Sequence, residues 1–242
     1  LAAPVRTIRT TPEGVLVKSD AGQWSGDHVV VAVPPPIARG IDFAIPRKTE
    51  LDLLLAGFVP GDLVKTVAVF EKPFWRLKGL RGSVVFADPA GLSVVDGSND
   101  VDLPRLIAFA GGPLARTLAN LPPSGRQTLL LQELRRVFGE EMPPPCEIAE
   151  AVWVDDPWSG GGYSATLRPG ASSDTAARLA DWEGRVHFAG AEIAATFPGY
   201  VEGALTSGRA AIARILDQAP ATQAPAKHVA RAVGGATRFA GP

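Results

Sequence analysis

A single cysteine, Cys146, rules out an internal disulfide in this 242-residue chain. It sits in the proline-rich run MPPPC, with neither a neighbouring histidine nor a helix start to lower its pKa, so it reads as a bystander and not as a nucleophile. Histidine is nearly as scarce. His28 and His187 lie beside apolar strands and His228 lies close to the C-terminus. None stands near a Ser, Cys or carboxylate constellation, so each is expected to be structural or exposed, and no spacing points to a metal site. An excess of one charge is also missing: 24 Lys and Arg against 25 Asp and Glu leave a net charge of -1, which gives nucleic acid or an anionic membrane no electrostatic hold. No apolar run approaches the ~20 residues that span a bilayer, and no signal peptide stands at the start.

The absence with the largest consequence is a strand followed by G-x-G-x-x-G and a helix, the unit that admits a dinucleotide pyrophosphate. The near match Gly160-Gly161-Gly162-Tyr163-Ser164-Ala165 follows DPWS and precedes TLRPG, so it lacks both the strand and the helix and is taken as a false positive. What remains is ordinary for a soluble globular protein, 46% hydrophobic and 20% charged, and long enough for one sizeable core or two smaller ones.

Residues 4–10 and 15–18 read as strands around the turn Thr11-Pro12-Glu13-Gly14. Residues 29–33 are a continuous apolar run that predicts a fully buried strand, ended by Pro34-Pro35-Pro36. From about Leu55 to Val154 the pattern changes to strands of mixed face, among them residues 63–70 and 106–110. One helix follows Ser124, with Leu129, Leu130, Leu134 and Val137 expected on its buried side. After Leu216 the chain is rich in Ala, Pro and Gly, and residues 218–242 are expected to be a disordered tail.

Residues 185–216, RVHFAGAEIAATFPGYVEGALTSGRAAIARIL, join an apolar strand, a glycine turn, an acidic residue and a long helix in that order. Gly190 lets backbone approach a ligand closely. Gly199 opens a helix whose apolar positions Val201, Ala204, Leu205, Ile212 and Ile215 follow helical spacing, and the free N–H groups of its first turn suit an oxygen-rich ligand. Glu192 can accept hydrogen bonds from ligand hydroxyls. An ordinary strand-loop-helix unit of an α/β protein accounts for the same segment.

This segment resembles the C-terminal flavin-binding signature of the flavin-dependent amine oxidases, the family of monoamine oxidase. The resemblance extends to GDLVKTVAVFEKPFWR around Lys65 and to AVWVDDPWSGGGYS around Tyr163, and covers nearly all of the chain except the tail. It implies a mixed α/β fold, part of a two-domain arrangement: a Rossmann-like FAD-binding domain and a substrate domain with a mixed or antiparallel sheet backed by helices. Residues 1–54 and 155–217 are assigned to the FAD-binding domain, residues 55–154 to part of the substrate domain. Because the chain opens on Leu1 and the resemblance begins in mid-family, a C-terminal portion lacking the N-terminal dinucleotide motif is expected. That missing half is then the first partner, and the segment alone is expected to bind flavin poorly and to be inactive.

The site residues follow from the same resemblance. Val5 is implied to lay its backbone beside the adenine of FAD. Gly190, Ala191, Glu192, Gly199, Tyr200 and Val201 line the cofactor, and Trp153 packs by the flavin. Lys65 shares a strand face with Leu63, Val67 and Val69, where a lysine usually snorkels to solvent; the resemblance instead makes it the catalytic lysine that holds a water against the flavin. Tyr163 and Tyr200, the chain's two tyrosines, match the two walls of an aromatic cage for the amine. Animal monoamine oxidases attach flavin through a cysteine immediately before the first cage tyrosine. Gly162 holds that position here, so non-covalent FAD is expected. The expected reaction takes a monoamine or polyamine and oxygen to an imine, then an aldehyde, with ammonia and hydrogen peroxide released. The rivals are an L-amino-acid oxidase, a flavin desaturase, and a flavin-free scaffold or partner subunit. A cytoplasmic protein and a homodimer are further expectations.

Overall fold

The computed structural model describes residues 2–218. The expected tail beyond that point, including His228, lies outside the described residues. In chain order the elements are strands β1 (Val5–Thr10), β2 (Val15–Ser19), β3 (Gly22–Gly26) and β4 (Val29–Val31), helix α1 (Pro35–Ala38), β5 (Asp42–Ala44), α2 (Lys48–Ala56) and β6 (Phe58–Pro60). Next come β7 (Leu63–Val69), α3 (Phe74–Leu77), β8 (Val84–Val85), β9 (Leu92–Asp96), β10 (Arg105–Gly111), α4 (Gly112–Ala119), α5 (Pro123–Phe138) and β11 (Glu147–Val152). The described residues end with β12 (Ala165–Leu167), α6 (Thr175–Ala180), β13 (Val186–Phe188), a 3-10 turn at Ala191–Ile193 and α7 (Val201–Gln218). Among the described residues no helix is long and apolar enough to cross a membrane.

Two compact units divide the chain: Leu1–Val59 with Ser164–Pro242, and Pro60–Tyr163. In the first, β1 pairs antiparallel with β2 across the turn at residues 11–14, where the Thr11 N–H donates to the Gly14 carbonyl at 2.8 Å. β3 and β5 complete a four-stranded sheet in the order β3-β2-β1-β5. β4 and β13 form a separate parallel pair, from Val186 beside Val29 to Phe188 beside Val31. The apolar run at residues 29–33 therefore gives a shorter and less buried strand than its composition predicts: Val29 and Val30 are half-buried, and Val33 is exposed. The core of this unit gathers Ile8, Phe43, Leu51, Leu55, Leu179 and Val186.

His187 on β13 is buried, and its Nε2 lies 3.0 Å from His28 Nδ1. Only one ring nitrogen of the pair can carry the shared proton. Burial first, then the positive Arg185, hold the His28 pKa below its usual value, with Asp27 opposing. Burial, His28 and Arg214 lower that of His187.

The second unit is built on a five-stranded antiparallel sheet in the order β11-β7-β10-β9-β8. Along β7 the side chains alternate as a pleated strand requires: Val64, Thr66 and Ala68 are buried beneath the helices, while Lys65, Val67 and Val69 stand half-buried on the other face. Leu63 shares the face of Lys65 yet is itself buried. Phe74 and Trp75 pack edge to face with each other and with Phe70. Trp75 donates its Nε1–H to Asp96 at 2.9 Å.

Helix α5 corrects two expectations. Its cap is Pro122, which leaves Ser124 inside the first turn. The following Pro123 has its φ preset for a helix start and its missing N–H costs nothing there. The buried column is Leu130, Leu134 and Phe138, whereas Leu129 and Val137 are exposed. A single column of residues four apart faces the sheet, and side chains one position away are rotated about 100° from it.

Candidate functional site

The candidate residues fall in both units. In the first unit, β4 and β13 run parallel, so their C-terminal ends lie together, the end of an α/β sheet where ligands bind. A small cleft there is lined by Val31, Val33, Pro35, Gly190, Glu192 and Ile193. Gly190 follows β13 in extended conformation, and a Cβ added to it would meet the Glu192 carboxylate at 3.2 Å. Its N–H donates to Ser207 Oγ on α7 at 3.2 Å, which ties the end of the strand to the helix. The donor set suits an FAD: a glycine that admits close approach, and a half-buried carboxylate able to accept from hydroxyls. Val5, at the start of β1, is half-buried beside a bulge between Val5 and Thr7, an irregularity that re-aims the backbone.

The loop from Ile193 to α7 folds tightly back. Gly199 donates its N–H to the Ala191 carbonyl at 3.0 Å and has φ +81°, which a residue with a Cβ resists. Gly203 packs so closely under this loop that any Cβ would run into the Phe197 carbonyl oxygen. Above it Phe197, Tyr200 and Val201 are all exposed. Ala191, whose carbonyl takes that bond, opens the 3-10 turn.

In the second unit Lys65 lies at the middle of its strand between Phe109 on β10 and Ala151 on β11. Its Nζ stands 5.7 Å from the centre of the Phe109 ring, within reach of a cation–π attraction. Trp153 is partly exposed just past β11 and donates its N–H to the Leu63 carbonyl at 2.9 Å. The near match to a dinucleotide turn at residues 160–165 is a loop pinned by Asp156, whose Oδ1 accepts from the Trp158 and Ser159 N–H groups and from Ser159 Oγ. Its glycines serve the protein itself: a Cβ on Gly161 would fall 2.6 Å from the Gly61 carbonyl oxygen, and one on Gly162 would fall 3.0 Å from Leu63 Cβ. Tyr163 follows, exposed.

Two features were not legible in the sequence. Phe109 shares the alternation of its strand, but only the cross-strand register sets it beside Lys65. Asp155 and Phe197 both adopt positive φ, at 54° and 51°, each within the loop that leads to one of the tyrosines. Non-glycine residues held in this region cluster at functional sites.

Residues 1–216 match the family model described as flavin containing amine oxidoreductase. Over 210 residues the chain is 30% identical to a probable flavin-containing monoamine oxidase A of Dictyostelium discoideum, covering 86% of this chain and 46% of that protein. It is also 30% identical to an L-amino acid dehydrogenase of Synechocystis sp., over 89% of this chain and 46% of the relative. The solved structure of a cyclohexylamine oxidase from Brevibacterium oxydans superposes with a TM-score of 0.81 at 31% identity, over 89% of this chain and 48% of that one. The chain thus spans about half the length of the curated relatives it matches.

Proposed function

Because the chain belongs to the flavin-containing amine oxidoreductase family, we propose that it works as part of an FAD-dependent oxidase that takes an amine to an imine and then to an aldehyde. Bound flavin would supply the two-electron acceptor for the hydride equivalent leaving the amine α-carbon, with oxygen as the final acceptor and ammonia and hydrogen peroxide as released products. The observation that carries the reading is the agreement with the family model over residues 1–216, which include Lys65, Tyr163 and Tyr200.

Each residue has a role in this reading. Glu192, Gly190 and Ala191 receive the hydroxyl-bearing part of the cofactor, with the Val5 backbone beside the adenine. Gly199, Tyr200 and Val201 present the first turn of α7, and Trp153 offers a flat packing surface. Lys65 holds a water at the reacting edge, where a cation favours developing negative charge. Tyr163 and Tyr200 guide the neutral amine by their ring faces. FAD is held without a covalent bond, since Gly162 offers no thiol and little room for one.

Oxidation of an L-amino acid is the second reading, favoured by the Synechocystis dehydrogenase among the relatives. Flavin-loaded protein mixed with simple amines and with amino acids in the absence of oxygen separates the two. Bleaching of the flavin absorbance by a simple amine supports the first; bleaching by amino acids alone moves the assignment to the second. Flavin that no amine or amino acid bleaches points to a desaturase.

A further inference from the structure

In the second unit, the sheet face opposite Lys65 does not close fully against its helices. A cavity of about 230 Å³ remains between β7, β9 and β10 on one side and α4 and α5 on the other. Its floor is Val64, Thr66, Leu92, Ala108 and Ala110, and Leu114, Leu118 and Leu130 cover it from the helices. Residue size is the reason: two alanines of β10 and a threonine of β7 stand where the helices would need larger partners. The lining forfeits dispersion contacts across such a space, so the fold carries it at a cost.

Two polar features distinguish this cavity from a packing fault. Thr66 is only 6% exposed and lines the cavity, and its hydroxyl makes no hydrogen bond among the described residues. Its cross-strand neighbours do not satisfy it. Ala108 has no polar side-chain atom, and the Glu150 carboxylate is taken by Arg126, at 3.4 Å to each oxygen, and by Gln127 at 3.5 Å. A buried hydroxyl without a partner costs free energy that a ligand oxygen would recover. The second feature is charge. Arg126 and Glu150 form a buried pair, and Arg126 Nη1 also donates to the Leu121 carbonyl at 2.6 Å. At the exposed rim Arg136 donates to Glu133 at 2.6 Å and to the Asp88 carbonyl at 3.4 Å. Both cations that line the cavity are thus already matched. A charged ligand would bring an uncompensated charge, whereas an uncharged one needs only the hydroxyl.

We propose that this cavity binds a small uncharged aromatic molecule with one hydrogen-bonding oxygen, of the phenol or aromatic alcohol class, whose oxygen pairs with the Thr66 hydroxyl. Apolar cavities of ~150 Å³ accept benzene. The larger volume here leaves room for a ring with a substituent, and a mostly apolar lining with one convergent polar group is the make-up of a ligand site. Lys65 stands on the other face of β7, so the site is separate from the positions assigned to flavin and amine, and the proposal does not depend on the proposed activity.

The test titrates p-cresol, toluene and benzoate into the chain labelled at its leucine and valine methyl groups, followed by NMR. p-Cresol is expected to bind one to one and to shift the methyl signals of Leu114, Leu118 and Leu130, leaving Val67 and Val69 on the Lys65 face unmoved. Toluene is expected to move the same signals with an affinity about 2- to 10-fold weaker, the span of one net hydrogen bond, and benzoate to bind at least 10-fold more weakly than toluene. Thr66→Val, which keeps the side-chain shape and removes the hydroxyl, should bring p-cresol down to the affinity of toluene and leave toluene binding no weaker. Ala110→Leu, which fills the cavity, should block both. Circular dichroism melting without ligand checks that the variants fold, and should Ala110→Leu fail to do so, Thr66→Val decides alone. No p-cresol binding up to its solubility, shifts confined to the Lys65 face, benzoate binding as tightly as p-cresol, or p-cresol affinity indifferent to Thr66→Val would each overturn the proposal.

Discussion

Lys65 illustrates how little a side chain's identity says before its neighbours are known. The bland outcome for a lysine on an apolar strand is a snorkelling ammonium, yet Lys65 is half-buried with its Nζ toward the Phe109 ring. In flavin-loaded protein, Lys65→Met is expected to slow reoxidation by oxygen by ~10²-fold while leaving flavin bound, a loss of the size seen when one charge-stabilising donor is removed. Unchanged reoxidation in stopped flow would remove Lys65 from the chemistry. The His28–His187 pair makes a different prediction, on stability. Both pKa values are lowered in the fold, so below the ordinary histidine value of about 6.5 the unfolded chain takes up protons before the folded one. Stability contributed by the neutral pair is complete above that pH and is lost as pH falls through the lowered folded values. The melting temperature should therefore drop between pH 7 and pH 5, and drop less in the double variant His28→Asn with His187→Asn; equal slopes would show that other groups govern this range.

At the scale of elements, periodicity identified α5 and α7 but not the direction in which they face, and it did not reveal α2 or the short helices. α5 turns Leu130, Leu134 and Phe138 to the sheet and leaves Leu129 exposed, although both leucines fit an apolar stripe. Leu134→Ala is expected to destabilise the fold by about 2–5 kcal/mol, as deletion of a fully buried leucine does, and Leu129→Ala by less than about 1 kcal/mol. Urea unfolding of the two variants measures this, and equal losses would contradict the orientation of the helix. The strands were easier to read. Turn chemistry at residues 11–14 and the alternation along β7 are local properties, and the structure keeps both. The run at residues 29–33 misled because its burial depends on covering from elsewhere, which stops at Val31.

For the whole molecule, the prediction concerns cofactor. A chain that spans about half of its relatives, with the outer face of α7 exposed among the described residues, is expected to take up well under one equivalent of FAD by itself. Absorbance of the purified chain after incubation with excess FAD and gel filtration measures this; stoichiometric flavin would show that these residues suffice. Non-covalent attachment has its own readout in the flavin released on acid precipitation. What the sequence determined unaided is the family, through contiguous motifs around Lys65, Tyr163 and residues 188–216, together with the turns and strand alternation that local sterics dictate. Tertiary structure alone decided that Phe109 stands beside Lys65, that Gly161 and Gly162 pack on residues 61–63, and that α7 buries its small residues and exposes its large ones. The physical reason is the same in each case. These relations are set by strand register and by contacts between residues far apart in the chain, and neither composition nor periodicity carries information about what will lie across the gap.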